Sequence, residues 1–213
     1  MNLSFGVVGT GWHFGIRVPF ACALIAIVLI GVAVRAIGAA EPTIASPAKP
    51  LDDLPGLKNF AVVTDALSRG AQPTTEGFAE LKRRGVKTIV NLRSAHSDRE
   101  TLAGMGLQYV EIPCHAWHPE SEDVLKFLTV VRNPKNQPVF VHCEHGSDRT
   151  GMMVAVYRIV EQGWTSDDAV KELPTFHFHP IFGEVVAYLK KFDPAATKKR
   201  LETTAPPKIE VIK

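Results

Sequence analysis

The sequence predicts a single α/β domain with a central, mostly parallel sheet of four or five strands flanked by helices. Short runs rich in β-branched and aliphatic residues alternate along residues 60–194 with segments whose apolar residues recur at helical spacing. The runs at 86–92 and 139–141 are typical of strands covered on both faces. With 213 residues, of which 46% are hydrophobic, the chain is long enough for one such domain with extensions.

The charge balance and the metal-ligating residue types exclude two classes of function. The net charge is only +2, which gives no support for nucleic-acid binding. The chain has no Cys-x-x-Cys pair, and His177 and His179 stand before a proline without further ligands nearby. We therefore expect no metal site and no nucleic-acid partner.

The pattern of the first forty residues predicts that the protein is exported. Residues 18–34 form an apolar run of about 17 residues, which is at the lower limit for spanning a bilayer. The small residues Gly38 and Ala40 before Glu41 fit the cleavage site of a signal peptide. We expect residues 1–40 to be a signal peptide that directs the protein to the periplasm. The alternative is an anchor in the inner membrane formed by residues 18–34.

The next segment predicts a linker and the first elements of the domain. Residues 41–59 contain four prolines among small and charged residues, the composition of an extended linker. One or more strands are expected within 60–67, and the chain should then turn at 69–73. Thr74 is a candidate N-cap for a helix that ends at Gly85.

The middle of the domain continues the alternation of predicted strands and helices. The strand at 86–92 has a polar exit, and open α/β sheets place their sites at such strand ends. Asp98 is a candidate N-cap for a short helix at 99–103. Later elements are a strand at 107–112, helices at 124–131, 165–173 and 181–192, and a flexible basic tail at 195–213.

The segment between the strand at 139–141 and an apolar helix at 152–160 is a polar turn that contains Cys143 and, six positions later, Arg149. The amides after Cys143 can curl toward one point at the N-terminus of the helix, where an oxyanion binds. The predicted phosphate-binding residues are Glu144, His145, Gly146, Ser147, Asp148, Arg149 and Thr150.

Each chemical role in this turn follows from a residue type. A thiolate at a helix N-terminus beside an arginine is stabilised as the anion, which makes Cys143 a candidate nucleophile. The planar fork of Arg149 matches two phosphoryl oxygens. Gly146 permits a tight backbone path, and the hydroxyl of Thr150 can bond to the sulfur.

The stretch His142-Cys143-x5-Arg149-Thr150-Gly151 resembles the signature of the cysteine-dependent protein tyrosine and dual-specificity phosphatases. Residues 68–73, 88–93 and 162–164 resemble the compact atypical members, including exported bacterial ones. The resemblance implies a phosphocysteine intermediate on Cys143, a phosphate held by Arg149, and no metal or other cofactor. It also implies a phosphoprotein substrate, with phosphotyrosine favoured over phosphoserine or phosphothreonine.

The sequence departs from this family at the general acid. In the family, the loop that corresponds to residues 114–123 carries an aspartate that protonates the leaving oxygen, and the nearest equivalent here is Trp117. Trp117 could stack on an aromatic ester or cap the core. His118 is the first substitute for the acid because histidine titrates near neutrality, with Glu120 and Asp98 as alternatives. An enzyme without a dedicated acid is the remaining option.

Three other functions stay open at this point. A phosphoinositide or inositol-phosphate phosphatase is the main alternative, although Glu144 and Asp148 should repel a highly anionic substrate. A rhodanese-like sulfur transferase also uses a cysteine loop, but Gly146 and the Arg-Thr-Gly sequence fit phosphatases better. A phosphate-binding pseudophosphatase is disfavoured because Cys143 and Arg149 are both present.

Cys114 suggests a redox hypothesis. It follows the predicted strand at 107–112 at the same sheet edge as Cys143, so an oxidising compartment could join the two in a reversible disulfide. The competing interpretation is that Cys114 is a small buried hydrophobic residue.

Overall fold

The computed structural model describes Gly11, Gly15 and residues 46–51, 53–115 and 117–213. Apart from two glycines, the predicted signal peptide or anchor in residues 1–40 lies outside this described part and stays a prediction. Within the described residues, none of the helices has the length and apolar character needed to cross a membrane.

Six strands form one sheet, and seven α-helices pack around it in the described part of the chain. The strands are β1 (Ala61–Thr64), β2 (Leu67–Gly70), β3 (Thr88–Asn91), β4 (Gln108–Glu111), β5 (Val139–His142) and β6 (Glu210–Val211). The helices are α1 (Thr75–Arg83), α2 (Arg99–Leu102), α3 (Ser121–Arg132), α4 (Asp148–Gln162), α5 (Ser166–Glu172), α6 (Gly183–Lys190) and α7 (Pro194–Leu201). Short 3-10 turns occupy Pro134–Asn136 and Leu173–Phe176.

The strand order is β1-β2-β5-β3-β4-β6, with parallel pairing through β2, β5, β3 and β4 and antiparallel edges at β1 and β6. The predicted α/β class with a mostly parallel sheet is therefore confirmed. The sheet has six strands rather than four or five. The additional strand is β6, because the two strands of the first hairpin are within the predicted number.

The two faces of the sheet carry separate hydrophobic cores. One core packs α3 and α4 against the sheet through residues such as Phe127 and Met153, and the other packs α1 through Phe78 and Leu81. All four residues of β5 are buried because β5 lies between β2 and β3 and both faces are covered. The parallel register brings the carboxyl ends of β2, β5 and β3 to one edge of the sheet.

The turn predicted at residues 69–73 is wrong in its first half, because Arg69 and Gly70 belong to β2. Arg69 is only 1% exposed. An arginine next to a glycine indicates a turn in sequence, and only tertiary contacts supply the partners that bury its charge.

The prediction of an extended linker at 41–59 is wrong for its described part. Ala48 is buried, and its amide donates to Oε1 of Glu172 at 2.8 Å. Leu51 N donates to Phe60 O at 2.7 Å, and Leu57 is 2% exposed in the core beside α1. The prolines of this segment give it a linker composition, but its scattered apolar residues pack onto the domain.

The flexible tail predicted at 195–213 is also wrong. Asp193 caps α7 by accepting from the amides of Ala195 and Ala196, and Pro194 starts that helix. Strand β6 then pairs with β4, and Arg99 binds the carboxylates of Glu111 and Glu210 at 2.7 and 3.0 Å. The basic composition of the segment indicated a disordered tail. Its ordered structure could not be predicted locally, because the partners of β6 lie about a hundred residues away in sequence.

The last strand offers a matched test of this order. We expect Ile212→Ala, which removes a side chain packed against the core beside α1, to lower the free energy of unfolding by about 1–2 kcal/mol. Val211→Ala, at a neighbouring exposed position, should change it by less than about 0.5 kcal/mol. Urea unfolding of both variants measures the difference. Equal and negligible effects would mean that the segment is not part of the folded domain.

Candidate active site

The site occupies the loop between the end of β5 and the start of α4. Cys143 lies at the base of this loop and is 2% exposed. Arg149, in the first turn of α4, lines a cavity of about 240 Å³ in front of the loop. The strand, loop and helix predicted for this stretch are therefore present.

Four consecutive carbonyl oxygens of the loop each face a hydrogen-bonding partner. The pairs are Cys143 O with His142 Nδ1 (3.1 Å), Glu144 O with Gln72 N (3.1 Å), His145 O with Asn59 Nδ2 (3.1 Å) and Gly146 O with Arg69 Nη2 (2.5 Å). In a planar trans peptide, the carbonyl and the following N–H point in opposite directions. Fixing these carbonyls outward therefore turns the amides of residues 144–147 to the other side of the loop, as a phosphate cradle requires.

Gly146 is required by both conformation and space. Its φ of +73° lies in the left-handed region, which disfavours side chains. A Cβ at this position would lie 2.5 Å from the carbonyl carbon of Gly70 and 2.6 Å from the amide nitrogen of Ala71. The loop thus packs directly against the backbone at the end of β2.

Arg149 and Thr150 differ in how they relate to the sulfur. Arg149 is half-buried, and its Nη1 lies 3.5 Å from Leu92 O, so the guanidinium remains at the cavity wall. The Thr150 hydroxyl is buried and has no hydrogen-bond partner among the described residues, so the expected bond to Cys143 is absent. Thr150 already lies in the first turn of α4, and the helix fixes its position.

Each of the two acidic residues of the loop has a polar partner. Asp148 accepts from the amide of His179 at 2.9 Å and faces Nδ1 of the same histidine at 2.9 Å. Glu144 is exposed, with a carboxylate oxygen 3.8 Å from Arg93. His179 is thus a hydrogen-bonding partner of Asp148. His177 is exposed and has a left-handed backbone conformation with φ of 60°.

Asp98 occupies the N-cap position of α2, as predicted, but its side chain makes no capping hydrogen bond. Its carboxylate is 1% exposed and accepts from Gln72 Nε2 at 2.7 Å, and its other oxygen lies 3.0 Å from His142 Nε2. Burial alone would raise the pKa of Asp98, but the hydrogen bonds from His142 and Gln72 outweigh it and lower the pKa. An enclosed, ionised carboxylate is a poor source of a proton for a leaving group.

His142 connects Asp98 to the loop. The ring is fully buried, with Nε2 toward Asp98 and Nδ1 toward the carbonyl of Cys143. Sequence reasoning missed this link, as it missed the roles of Asn59, Arg69 and Gln72. The one signal was the stretch at 68–73, which resembled the phosphatases without indicating what it contacts.

The structure places the predicted acids away from Arg149 and brings another histidine near. His118 lines a separate cavity of about 440 Å³ beside α6 and α7. Glu120 is exposed at the start of α3 and does not line the cavity of Arg149. His115 does line that cavity. The backbones of His115 and His118 pair as an isolated antiparallel bridge, yet the two residues line different cavities; residue spacing alone cannot reveal that.

Trp117 forms part of an aromatic wall rather than capping the core. It is 66% exposed, and its ring centroid lies 6.0 Å from that of Phe182. Both rings line the cavity of Arg149. Of the two roles considered for Trp117, contact with a bound ester is the one that this position permits.

Cys114 is 2% exposed, and Cys114 and Cys143 are both free thiols. Burial raises the pKa of Cys114 to about 12. Cys114 is therefore a buried thiol in the structure, and its disulfide with Cys143 stays a prediction.

Comparison with known proteins agrees with this geometry. The family model described as "DSP-PTPase phosphatase fused to NAD+ Kinase" matches residues 57–181. The chain belongs to this phosphatase family. The match begins three residues before the predicted domain start and includes Leu57, which the structure also places in the core.

Similar proteins include two kinds of phosphatase. The dual specificity protein phosphatase TpbA of Pseudomonas aeruginosa (strain UCBPP-PA14) is 35% identical over 116 residues, which cover 54% of this chain and 53% of that protein. The inositol diphosphatase SIW14 of Saccharomyces cerevisiae is 28% identical over 137 residues, 57% of this chain and 46% of that protein. The chain thus spans about half the length of these curated relatives.

A solved structure of P. aeruginosa TpbA shares the fold with a TM-score of 0.64 at 30% identity, covering 73% of this chain and 96% of that one. A Cys-to-Ser variant of TpbA in complex with phosphotyrosine matches with a TM-score of 0.65 at 29% identity, covering 74% and 96%. These structures are similar to the phosphatase domain described above.

The buried pair of Asp98 and His142 predicts a pH-dependent loss of stability. Because the pKa of Asp98 is lowered in the folded state, its contribution is present above the unfolded value of about 3.9 and is lost as pH falls through the folded value. We expect Asp98→Asn to lower the free energy of unfolding by about 1–3 kcal/mol at pH 7, with a smaller deficit at pH 3.

Urea titrations across this pH range measure the deficit. Asp167→Asn, which changes an exposed carboxylate at the start of α5, is the control and should have little effect at any pH. A deficit for Asp98→Asn that is the same at pH 3 and pH 7 would contradict an ionic role for Asp98.

Proposed function

We propose that this protein hydrolyses phosphate monoesters on phosphoproteins, with phosphotyrosine favoured. The observation that carries the proposal is the outward attachment of the four loop carbonyls. This attachment leaves the amides of residues 144–147 on the inner side of the loop, where a phosphate would bind. Cys143 at the base of the loop and Arg149 at the cavity wall complete the groups needed to attack and hold a phosphoryl group.

The proposed reaction has two displacements. The Cys143 thiolate attacks phosphorus in line, an S–P bond forms, and the ester P–O bond breaks as the leaving oxygen takes a proton. Water then attacks the phosphocysteine, the S–P bond breaks, and inorganic phosphate and the thiolate are released. The loop amides and Arg149 stabilise the charge that develops on the phosphoryl oxygens in both transition states.

His115 is the residue that we propose as the proton donor. It replaces His118 in this role because His115 shares the cavity with Arg149 and His118 does not. A histidine can donate a proton in the first displacement and accept one from water in the second. The proposal keeps the acid in the same loop in which the family carries its aspartate.

Two surfaces support a protein substrate. The aromatic wall of Trp117 and Phe182 offers contact to an aryl ester such as phosphotyrosine. A groove of about 860 Å³ leads away from the loop on the other side, and it shares Glu144 and His145 with the cavity of Arg149. Polar groups of the groove, including Lys58, can contact the chain that flanks a phosphorylated residue. The complex of TpbA with phosphotyrosine also supports this substrate class.

An inositol-phosphate phosphatase is the second candidate. The similarity to SIW14 favours it. No lysine stands between Cys143 and Arg149 to attract extra phosphates, so we place this candidate second.

Turnover of a phosphotyrosine peptide tests the proposal. We expect the wild-type chain from residue 41 onward to hydrolyse phosphotyrosine peptides and p-nitrophenyl phosphate under reducing conditions. Cys143→Ser should abolish turnover to background, because a serine hydroxyl is a far weaker nucleophile than a thiolate. Vanadate binding should remain measurable, because the loop amides and Arg149 remain. Release of inorganic phosphate is the measurement.

The same assay separates the two candidates. A higher kcat/KM for an inositol diphosphate than for phosphotyrosine peptides would favour the second candidate. Turnover retained by Cys143→Ser would exclude the phosphocysteine mechanism for both.

The acid is tested by comparing His115→Ala with His118→Ala. Leaving-group protonation matters more for a poor leaving group, so we expect His115→Ala to slow hydrolysis of an alkyl phosphate by about 10²-fold or more and p-nitrophenyl phosphate much less. His118→Ala should leave both rates within about twofold, because this neighbour lies at the other cavity. The reverse pattern would restore His118, and small equal effects of both variants would indicate that neither histidine is the acid.

A further inference from the structure

Arg69 is a buried cation behind the phosphate loop. The side chain extends from β2, is 1% exposed, and lies with its guanidinium carbon 3.7 Å from the centroid of the Phe176 ring. Its Nη2 donates to the carbonyl of Gly146, whereas Nε has no hydrogen-bond partner among the described residues. The one hydrogen bond found for this guanidinium in the described part of the chain therefore goes to the loop.

Burial of this charge is unfavourable unless the guanidinium is paired and hydrogen-bonded. Desolvation lowers the pKa of Arg69 to about 9, against the opposing influence of nearby Glu172 and Cys143. Buried ion pairs can often be replaced by apolar residues of similar volume without loss of stability. A structural requirement alone therefore does not explain an arginine at this position.

Asn59 makes a second attachment of the same kind. Its Nδ2 donates to the carbonyls of His145 and Phe176, both at 3.1 Å. Its backbone has φ of 52°, a left-handed conformation that asparagine tolerates better than most residues. Arg69 and Asn59 thus bind adjacent loop carbonyls, and Phe176 contacts both side chains.

We propose that Arg69 and Asn59 are positioning residues that aim the amides of Ser147 and Gly146 at the transferring phosphoryl group. The link is the planar peptide: holding Gly146 O outward directs the N–H of Ser147 inward, and holding His145 O outward does the same for Gly146. The inference rests on the proposed phosphatase function and deepens it, because it states which groups preorganise the oxyanion site.

Arg158 is a matched control within the same molecule. It is also fully buried and lies over an aromatic ring, with its guanidinium carbon 4.4 Å from the centroid of Trp164. Its hydrogen bonds go to Glu172 and Gln162, not to the loop. A loss caused only by removing a buried guanidinium should appear in both arginine variants, whereas a positioning effect should appear in Arg69 alone.

The experiment compares Arg69→Met, Arg158→Met and Asn59→Gly in the full-length chain. Glycine at position 59 keeps the left-handed backbone and removes only the side-chain donor. Urea unfolding, kcat and KM for p-nitrophenyl phosphate, and the Kd for vanadate are measured for each. Vanadate is the informative probe because its five-coordinate form resembles the transition state more closely than phosphate does.

We expect Arg69→Met to lower kcat by about 10- to 100-fold and to weaken vanadate binding in parallel, with a smaller change in KM. Asn59→Gly should show the same pattern to a smaller degree. Arg158→Met should lose stability but keep kcat and vanadate affinity within about threefold. Arg69→Lys, which can still place one donor near Gly146 O, should recover part of the loss.

Three outcomes would overturn the inference. The first is a folded Arg69→Met with vanadate affinity within twofold of wild type. The second is an equal loss of kcat in Arg69→Met and Arg158→Met. If Arg69→Met does not fold, Asn59→Gly decides: wild-type kcat and vanadate affinity in that variant would refute the positioning role. A wild-type protein inactive on every phosphate ester would instead refute the proposed function.

Discussion

The outward attachment of four successive carbonyls in the loop after β5 is the constraint on which this site depends. In an isolated short loop each peptide unit could rotate independently, so its amides would not all point to one side. Here every rotation would break a hydrogen bond to a group that lies in the sheet or in one of the two segments around Asn59 and Gln72. The anion-binding surface is therefore a consequence of what lies behind the loop.

The same contacts also determine where polar groups are buried. Arg69 and His142 are both almost inaccessible to solvent, and each directs a donor or a ring nitrogen at a loop carbonyl. A buried polar or charged group is costly unless it is paired, so these side chains resist any movement of the loop away from them. Asp98 extends the effect, because its carboxylate fixes the ring of His142 and the side chain of Gln72 together. Rigidity of the site and satisfaction of the buried polar groups are thus two results of one network.

The sequence revealed the local features of this arrangement and missed the long-range ones. The strand before Cys143, the helix after it and the cap at Thr74 are encoded within a few residues, so spacing and residue type were sufficient to predict them. The attachment of the loop to Asn59 and Arg69 joins residues that are about eighty positions apart, and a turn-like Arg-Gly pair gave no indication of it. The order of the C-terminal segment was missed for the same reason, since β6 acquires its structure from β4.

The choice between His115 and His118 as general acid shows a different limit of prediction from sequence. Both lie in the same loop and both carry the same imidazole, so residue type could not separate them; only the folded structure shows that each lines a different cavity. A histidine at this position also fits the charge of its surroundings. Glu144 lines the same cavity, and a bound phosphoryl group would add further negative charge. A carboxylic acid that has given up its proton leaves another carboxylate in the cavity, whereas a histidine that has given up its proton is neutral. On the proposed mechanism, a histidine donor therefore avoids adding a carboxylate to a cavity that Glu144 already lines.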